Sequence, residues 1–357
     1  VTAASKAVPS RGARPILQNL RIGDGLVTAT DLEVRIDVQI AGMCEPFLVP
    51  ADRLASILRE SRSEDVSLRK SGASVVVKCG TSEWTLPTED VAEFPAAADF
   101  NAKSVVHLPG TQFVSLMNAV RFATDSESSR YALGGVLIEF VDGRLSFVAT
   151  DGRRMCVAEC GVDVATDDFV NQPKPGSTQK KAPIVPRPVV DILCGMAKTD
   201  NSIQIDADER VIVAEVDGCT VTANLIDGRF PKWRDVEPDR KIKPSTVLVG
   251  ELLSACRQAA ICTSEQSKGV KFHFTDDGLR LSSQSSEAGK AECDCVVLEV
   301  GASCSVSLDP RFITEWLACG SFDELETIRM EAESATAAVV LAAGDCRCVV
   351  MPLDPTA

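Results

Sequence analysis

The chain has 357 residues, 45% of them hydrophobic and only 5% aromatic, and its 51 acidic and 37 basic residues leave a net charge of −14. That length predicts two or three domains, with cores built from Leu, Val, Ala and Cys. The acidic balance argues against a simple nucleic-acid binder, whose affinity for phosphates comes largely from Lys and Arg releasing counterions.

In chain order, one local signal returns three times. Val49-Pro50-Ala51-Asp52-Arg53-Leu54-Ala55-Ser56-Ile57-Leu58 reads as a strand end, a proline near a helix start, and an apolar stripe. Leu54, Ile57 and Leu58 face inward and Arg59 outward. A strand follows at 74–79, and Trp84-Thr85-Leu86-Pro87 runs into a proline, with Phe94-Pro95 beyond it. A short strand leading into a helix is predicted over 105–123, then strands at 136–140 and 145–149. Residues 167–183, polar and proline-rich, read as a surface loop.

Val185-Pro186-Arg187-Pro188-Val189-Val190-Asp191-Ile192-Leu193 is the second copy. Its helix gathers Val189, Val190, Ile192, Leu193 and Met196 on one face, with Lys198 opposite if the helix continues. Strands at 212–216 and 220–225 lead to Leu225-Ile226-Asp227-Gly228-Arg229-Phe230-Pro231, again a strand running into a proline. A strand and helix recur over 247–262, where Leu252, Leu253, Cys256 and Ala259 form the stripe. Arg257 lies to one side and Ile261 nearly opposite, either as a stray apolar residue or as partner surface. Leu308-Asp309-Pro310-Arg311-Phe312-Ile313-Thr314-Glu315-Trp316-Leu317 is the third copy. A strand at 337–342 and Val349-Val350-Met351-Pro352 follow. Hairpin turns are predicted at Asp142-Gly143, Asp217-Gly218 and Asp276-Asp277-Gly278.

Laid over one another, these signals give three units, 1–104, 105–240 and 241–357. Each is an α+β domain, an antiparallel sheet with two helices on one side. The first unit lacks an opening strand, which predicts that its first strand and part of its first helix are missing.

The sequence shows no site assembled for catalysis and predicts no cofactor or metal. Phosphate-cradling glycine loops are absent. The two histidines, His107 and His273, have no nearby nucleophile. Fourteen cysteines form no Cys-x-x-Cys pair; Cys293 with Cys295, and Cys346 with Cys348, each share a strand face. They are expected to be buried, reduced thiols. No apolar run reaches transmembrane length and no signal peptide opens the chain, which predicts a cytoplasmic protein without a membrane partner. Thr150-Asp151-Gly152-Arg153-Arg154 has two readings. It is either a carboxylate beside two guanidiniums, suited to a phosphate-acting enzyme, or a turn between strands.

Ala149-Thr150-Asp151-Gly152-Arg153-Arg154-Met155 and Leu225-Ile226-Asp227-Gly228-Arg229-Phe230-Pro231 resemble the two signature stretches of the bacterial DNA polymerase III β subunit, the sliding-clamp family. Arg14-Pro15-Ile16-Leu17-Gln18-Asn19-Leu20, Thr30-Asp31-Leu32-Glu33 and Val350-Met351-Pro352-Leu353 resemble it too, in order across essentially the whole chain. The resemblance implies a non-catalytic processivity factor, a head-to-tail homodimer of three-domain subunits. Its six domains would close a ring around duplex DNA, with helices lining the hole and no base readout.

On that resemblance Arg11, Arg59, Lys198 and Arg257 face DNA, while the acidic remainder covers the rim. Trp84, Leu86, Ile261 and Cys262 match the dimer interface. A pocket for peptides is implied at Leu133, Thr150, Gly152, Arg153, Arg154, Met155, Pro231, Val236, Thr336, Val349, Val350, Met351, Pro352 and Leu353. Its partners would be the DNA polymerase III catalytic subunit, the clamp loader, and other DNA polymerases and repair proteins. Arg153 stands where the family usually has His, and Asp235 where a basic residue is common. Asp235 and Asp354 therefore predict a preference for peptides with a basic flank. The alternative is a clamp-like scaffold that no longer encircles DNA.

Overall fold

A computed structural model describes residues 1–10, 14–63, 65–97, 100, 106–125, 132–141, 143–162, 182–198, 201–238, 242–264, 268–322 and 325–353. The first repeat opens with a 3-10 turn at Ala4–Ala7. It continues as β1 (Asn19–Gly23), β2 (Leu26–Thr30), β3 (Val34–Gln39), β4 (Phe47–Pro50), α1 (Ala51–Glu60), β5 (Val66–Ser71), β6 (Ser74–Cys79) and β7 (Ser82–Pro87). The second runs β8 (Val106–Pro109), α2 (Gly110–Asn118), β9 (Gly135–Val141), β10 (Arg144–Thr150), β11 (Arg154–Gly161), β12 (Ile184–Pro186), α3 (Arg187–Met196), β13 (Ser202–Ala207), β14 (Val211–Val216) and β15 (Cys219–Asn224). The third runs β16 (Ser245–Leu248), α4 (Val249–Ala260), β17 (Val270–Thr275), β18 (Gly278–Ser285), β19 (Gly289–Cys295), β20 (Val297–Glu299), β21 (Cys304–Leu308), α5 (Pro310–Leu317), β22 (Thr327–Glu331), β23 (Val339–Ala343) and β24 (Cys346–Val350). The second repeat is thus strand, helix and three strands, twice over, and the third differs by the short β20.

Local chemistry explains these elements. In α1 the predicted stripe is inside, with Leu54 and Ile57 buried and Arg59 exposed. Helix α5 starts where Asp309 accepts a hydrogen bond from the Arg311 amide at 3.0 Å and Pro310 takes the first turn. Asp217 and Gly218, with φ of 50° and 70°, make the tight hairpin between β14 and β15. Helix α3 ends at Met196, so Lys198 is exposed beyond the helix and not on its outer face.

The chain divides into two compact units, and the division runs through the second repeat. The first unit holds an eight-stranded antiparallel sheet, β4-β1-β2-β3-β15-β14-β13-β8, and the three-stranded β5-β6-β7. The second holds a nine-stranded sheet, β12-β9-β10-β11-β24-β23-β22-β16-β20, and the four-stranded β19-β18-β17-β21. The expectation of one sheet per repeat is corrected here. Each repeat deals its strands to two sheets, and neighbouring repeats share a sheet through β3 with β15 (Ile36 opposite Val221) and β11 with β24 (Met155 opposite Val349). Each join removes two exposed strand edges, which accounts for the arrangement.

No disulfide joins the fourteen cysteines; eight are buried, five are half-buried and Cys44 is exposed, so the expectation of burial fails there. Cys156 and Cys348 face each other across β11 and β24 with sulfurs 3.2 Å apart. Burial, then the neighbouring Cys348, pushes the Cys156 thiol well above its ordinary range. Burial also raises Cys160 to about 11, and Cys295 and Cys346 to about 12.

Candidate functional site

The turn between β10 and β11 is built from its own side chains. Asp151 Oδ1 accepts the backbone N–H groups of Arg153 and Arg154, both at 2.9 Å. Thr150 Oγ1 donates to the Arg154 carbonyl at 2.7 Å and accepts from the Gly152 amide at 3.1 Å. Gly152 sits at φ +83°, where a side chain would be strained. The turn reading of this segment is therefore the correct one.

Arg154 points inward and is only 7% exposed. Its Nε donates to Asp151 Oδ2 at 3.1 Å, Nη1 to Glu315 Oε2 at 2.6 Å, and Nη2 to the Phe122 carbonyl at 3.0 Å. The guanidinium lies between the rings of Phe122 and Phe312, 4.9 and 4.7 Å from their centroids. Asp151 and Arg154 are spent on each other and on α5, which argues against the phosphate site.

Above this turn lies a cleft of about 290 Å³, wholly within the second unit. It is lined by Leu133, Thr150, Gly152, Arg153, Arg154, Met155, Pro231, Val236, Val349 and Met351, all anticipated, and by Trp233, which was not. Its floor belongs to a buried cluster in which Met155, Val349 and Trp233 pack with Leu137, Val148, Val157, Ile184 and Val340. Val236 and Met351, each 44% exposed, form apolar edges. Met351 is held over the turn by its amide, which donates to the Arg153 carbonyl at 2.9 Å.

Four anticipated residues fall outside this lining. Val350 is buried but points to the opposite face of β24, as strand alternation requires of the residue between Val349 and Met351. Thr336 is exposed in the segment before β23. Pro352 and Leu353 are half-buried, and the Leu353 amide donates to the Ser307 carbonyl on β21 at 2.8 Å. Trp233 was legible as one of three tryptophans, two positions after Pro231. Its indole N–H donates to Glu139 Oε2 at 3.1 Å, and the Arg234 guanidinium covers its ring at 4.1 Å. No sequence signal marked Glu139, Phe122, Phe312 or Glu315.

The remaining candidates are dispersed. Arg59 and Arg257 are exposed on α1 and α4, while Arg11 and Asp354 lie outside the described residues. Trp84 is half-buried on β7, an edge of its three-stranded sheet, but Leu86 on the same face is buried in its own unit. Ile261 is 74% exposed at the end of α4, and Cys262 beside it is half-buried. Among the described residues no helix is long and apolar enough to cross a membrane.

Three sheet-rich repeats with a preformed apolar cleft define a clamp-type fold. Residues 1–98 match the N-terminal domain of the DNA polymerase III beta subunit, 107–232 the central domain, and 234–354 the C-terminal domain. The chain belongs to the DNA polymerase III beta subunit family. The beta sliding clamp of Escherichia coli K12 is 27% identical over 354 residues, 96% of this chain and 93% of that protein. That of Vibrio cholerae is 28% identical over 359 residues, 98% and 95%. Among solved structures, the Pseudomonas aeruginosa sliding clamp bound to griselimycin aligns with a TM-score of 0.87 at 24% identity, over 99% of this chain and 95% of that one. A putative DNA polymerase III beta subunit from Eubacterium rectale gives 0.88 at 18% identity, over 99% and 96%. Both share the fold of this chain.

Proposed function

We propose that this chain is a DNA polymerase processivity factor acting in the cytoplasm, a sliding clamp with no catalytic chemistry of its own. Two copies close head to tail into a ring that encircles duplex DNA without reading its sequence. The proposed domains are 1–104, 105–240 and 241–357. The match to all three clamp domains in order carries this reading.

The cleft receives short peptides from the DNA polymerase III catalytic subunit, the clamp loader, and other polymerases and repair proteins. Its apolar floor suits a ligand's Leu or Phe, and its rigid Thr150–Arg154 turn supplies polar orientation. Arg59, Lys198 and Arg257, exposed on or just after helices, are the proposed DNA-facing cations of an otherwise acidic protein, together with Arg11. Ring topology lets few phosphate contacts suffice. Trp84, Leu86, Ile261 and Cys262 are the proposed interface between copies. The test is light scattering together with polymerase extension on a primed circular template. Twice the chain mass and longer products support the reading; a monomer that leaves product length unchanged contradicts it.

A further inference from the structure

We infer that Glu139 and Arg347 are positioning residues for the cleft, each stapling one end of the segment from Trp233 to Glu237 against the nine-stranded sheet. The inference rests on the reading of the cleft as a peptide site. That segment supplies the Trp233 and Val236 wall, yet little in its backbone holds it. It is one 3-10 turn, Trp233–Asp235, with no side-chain cap. Its turn is closed by the amides of Asp235 and Val236 donating to the carbonyls of Lys232 and Trp233 at 3.0 and 3.1 Å. So short a turn has little stability of its own.

The sheet supplies the rest through one alternating register. Leu137 on β9, Val148 on β10, Met155 and Val157 on β11, and Val349 on β24 form the apolar floor. On the same face, a further step along each strand, stand Glu139, Ser146, Glu159 and Arg347. The segment crosses the boundary between these two halves. At its start the Glu139 carboxylate takes both the Trp233 indole N–H, at 3.1 Å, and the Arg234 guanidinium. At its end Arg347 Nε lies 2.5 Å from Glu237 Oε1, an ion pair whose angle falls outside hydrogen-bond geometry. Arg347 is itself fixed, since Nη2 donates to Glu159 Oε2 at 3.0 Å and Ser146 donates to Glu159 Oε1 at 2.8 Å. Arg144 and Asp345 complete the charges around Glu159. Neither Glu139 nor Arg347 lines the cleft. Their effect on a ligand is to remove the cost of ordering its wall.

The experiment titrates an uncharged, acetylated Gln-Leu-Ser-Leu-Phe amide into the wild-type chain, Glu139→Met, Arg347→Met and Glu237→Gln. Variants are compared at equal helix and sheet content by circular dichroism. Glu139→Met, which removes the acceptor shared by Trp233 and Arg234, and Arg347→Met should each weaken binding about tenfold, as expected for an unpinned wall. Glu139→Met should also shift tryptophan emission to the red. Glu237→Gln, which loosens the pair from the segment's side and leaves Arg347 on Glu159, should bind within about threefold of the Arg347→Met value. Binding within about twofold of wild type in both Met variants overturns the staple while leaving the peptide site standing. Glu237→Gln binding as tightly as wild type overturns the Arg347 half. Absence of binding to the wild-type chain overturns the peptide site and the staple with it.

Discussion

Arg154 on β11 and Glu315 on α5 meet at 2.6 Å, joining the second repeat to the third directly beneath the cleft. The pair is asymmetric, with 7% of the Arg154 side chain exposed against 49% for Glu315. The guanidinium also depends on Asp151, on the Phe122 carbonyl and on two rings, whereas Glu315 can be solvated when released.

Arg154→Ala is therefore expected to destabilise the second unit by about 3 kcal/mol, the lower end for breaking a buried pair because Glu315 is half exposed. Glu315→Gln should cost under about 1 kcal/mol, in keeping with a solvent-screened partner. Urea unfolding of the two variants checks the ratio. Equal losses would mean that the ion pair, and not the whole cage around the guanidinium, holds Arg154.

Met351 and Leu353 should separate, although the family resemblance implied both in the pocket. Met351 lines the cleft and Leu353 does not. Met351→Ala should weaken a Gln-Leu-x-Leu-Phe-type peptide by roughly tenfold, from about 1.5 kcal/mol of lost apolar burial. Leu353→Ala should change affinity by less than about threefold, since it removes no lining contact. Calorimetric titration of each single variant tests this, and equal effects would extend the pocket beyond its present bounds. Exposed Asp235 beside the Trp233 and Val236 wall also predicts that a peptide with a basic flank binds more tightly, by a margin that shrinks with salt.

Much of the fold was legible because its signals are local. The stripes of α1 and α4, the Asp309-Pro310 helix start and the Asp217-Gly218 hairpin all follow from neighbouring residues. The sharing of sheets between repeats was not. Cys156 pairs with Cys348 across 192 positions, and nothing near either residue marks the other. Within the site, Val349 and Met351 came from the family resemblance, which carried Val350 with them; strand alternation excludes Val350 from that face. Glu139 was not readable, because a glutamate on a sheet face looks solvated until Trp233 is placed against it.

The double variant Trp84→Ala, Ile261→Ala is expected to be monomeric at micromolar concentration. Large side chains near the centre of an interface carry most of its energy, and Ile261 is 74% exposed in the isolated chain. Light scattering measures this, and an unchanged dimer would remove both residues from the interface.

Raising the pH is expected to destabilise the protein through its buried thiols. Cys156 is raised by burial, Cys160 to about 11, and Cys295 and Cys346 to about 12. In the unfolded chain these thiols ionise near their ordinary value while the native ones stay protonated. The stability they contribute is fully present below about pH 9 and is lost as pH rises toward 12. Urea midpoints under reducing conditions should fall steeply from pH 9 to 11. A flat profile would contradict the burial of these groups.

A ring that encircles DNA holds it by topology. Clamp loaded onto a nicked circular plasmid by a clamp loader, then passed through a sizing column at raised salt, measures this most directly. The protein is expected to stay with the circle and to be released once the plasmid is cut to a linear form. Replacing Arg11, Arg59, Lys198 and Arg257 with Glu should lower the yield of loading but not the retention of rings already closed. Release from intact circles at the same rate as from linear DNA would contradict encirclement.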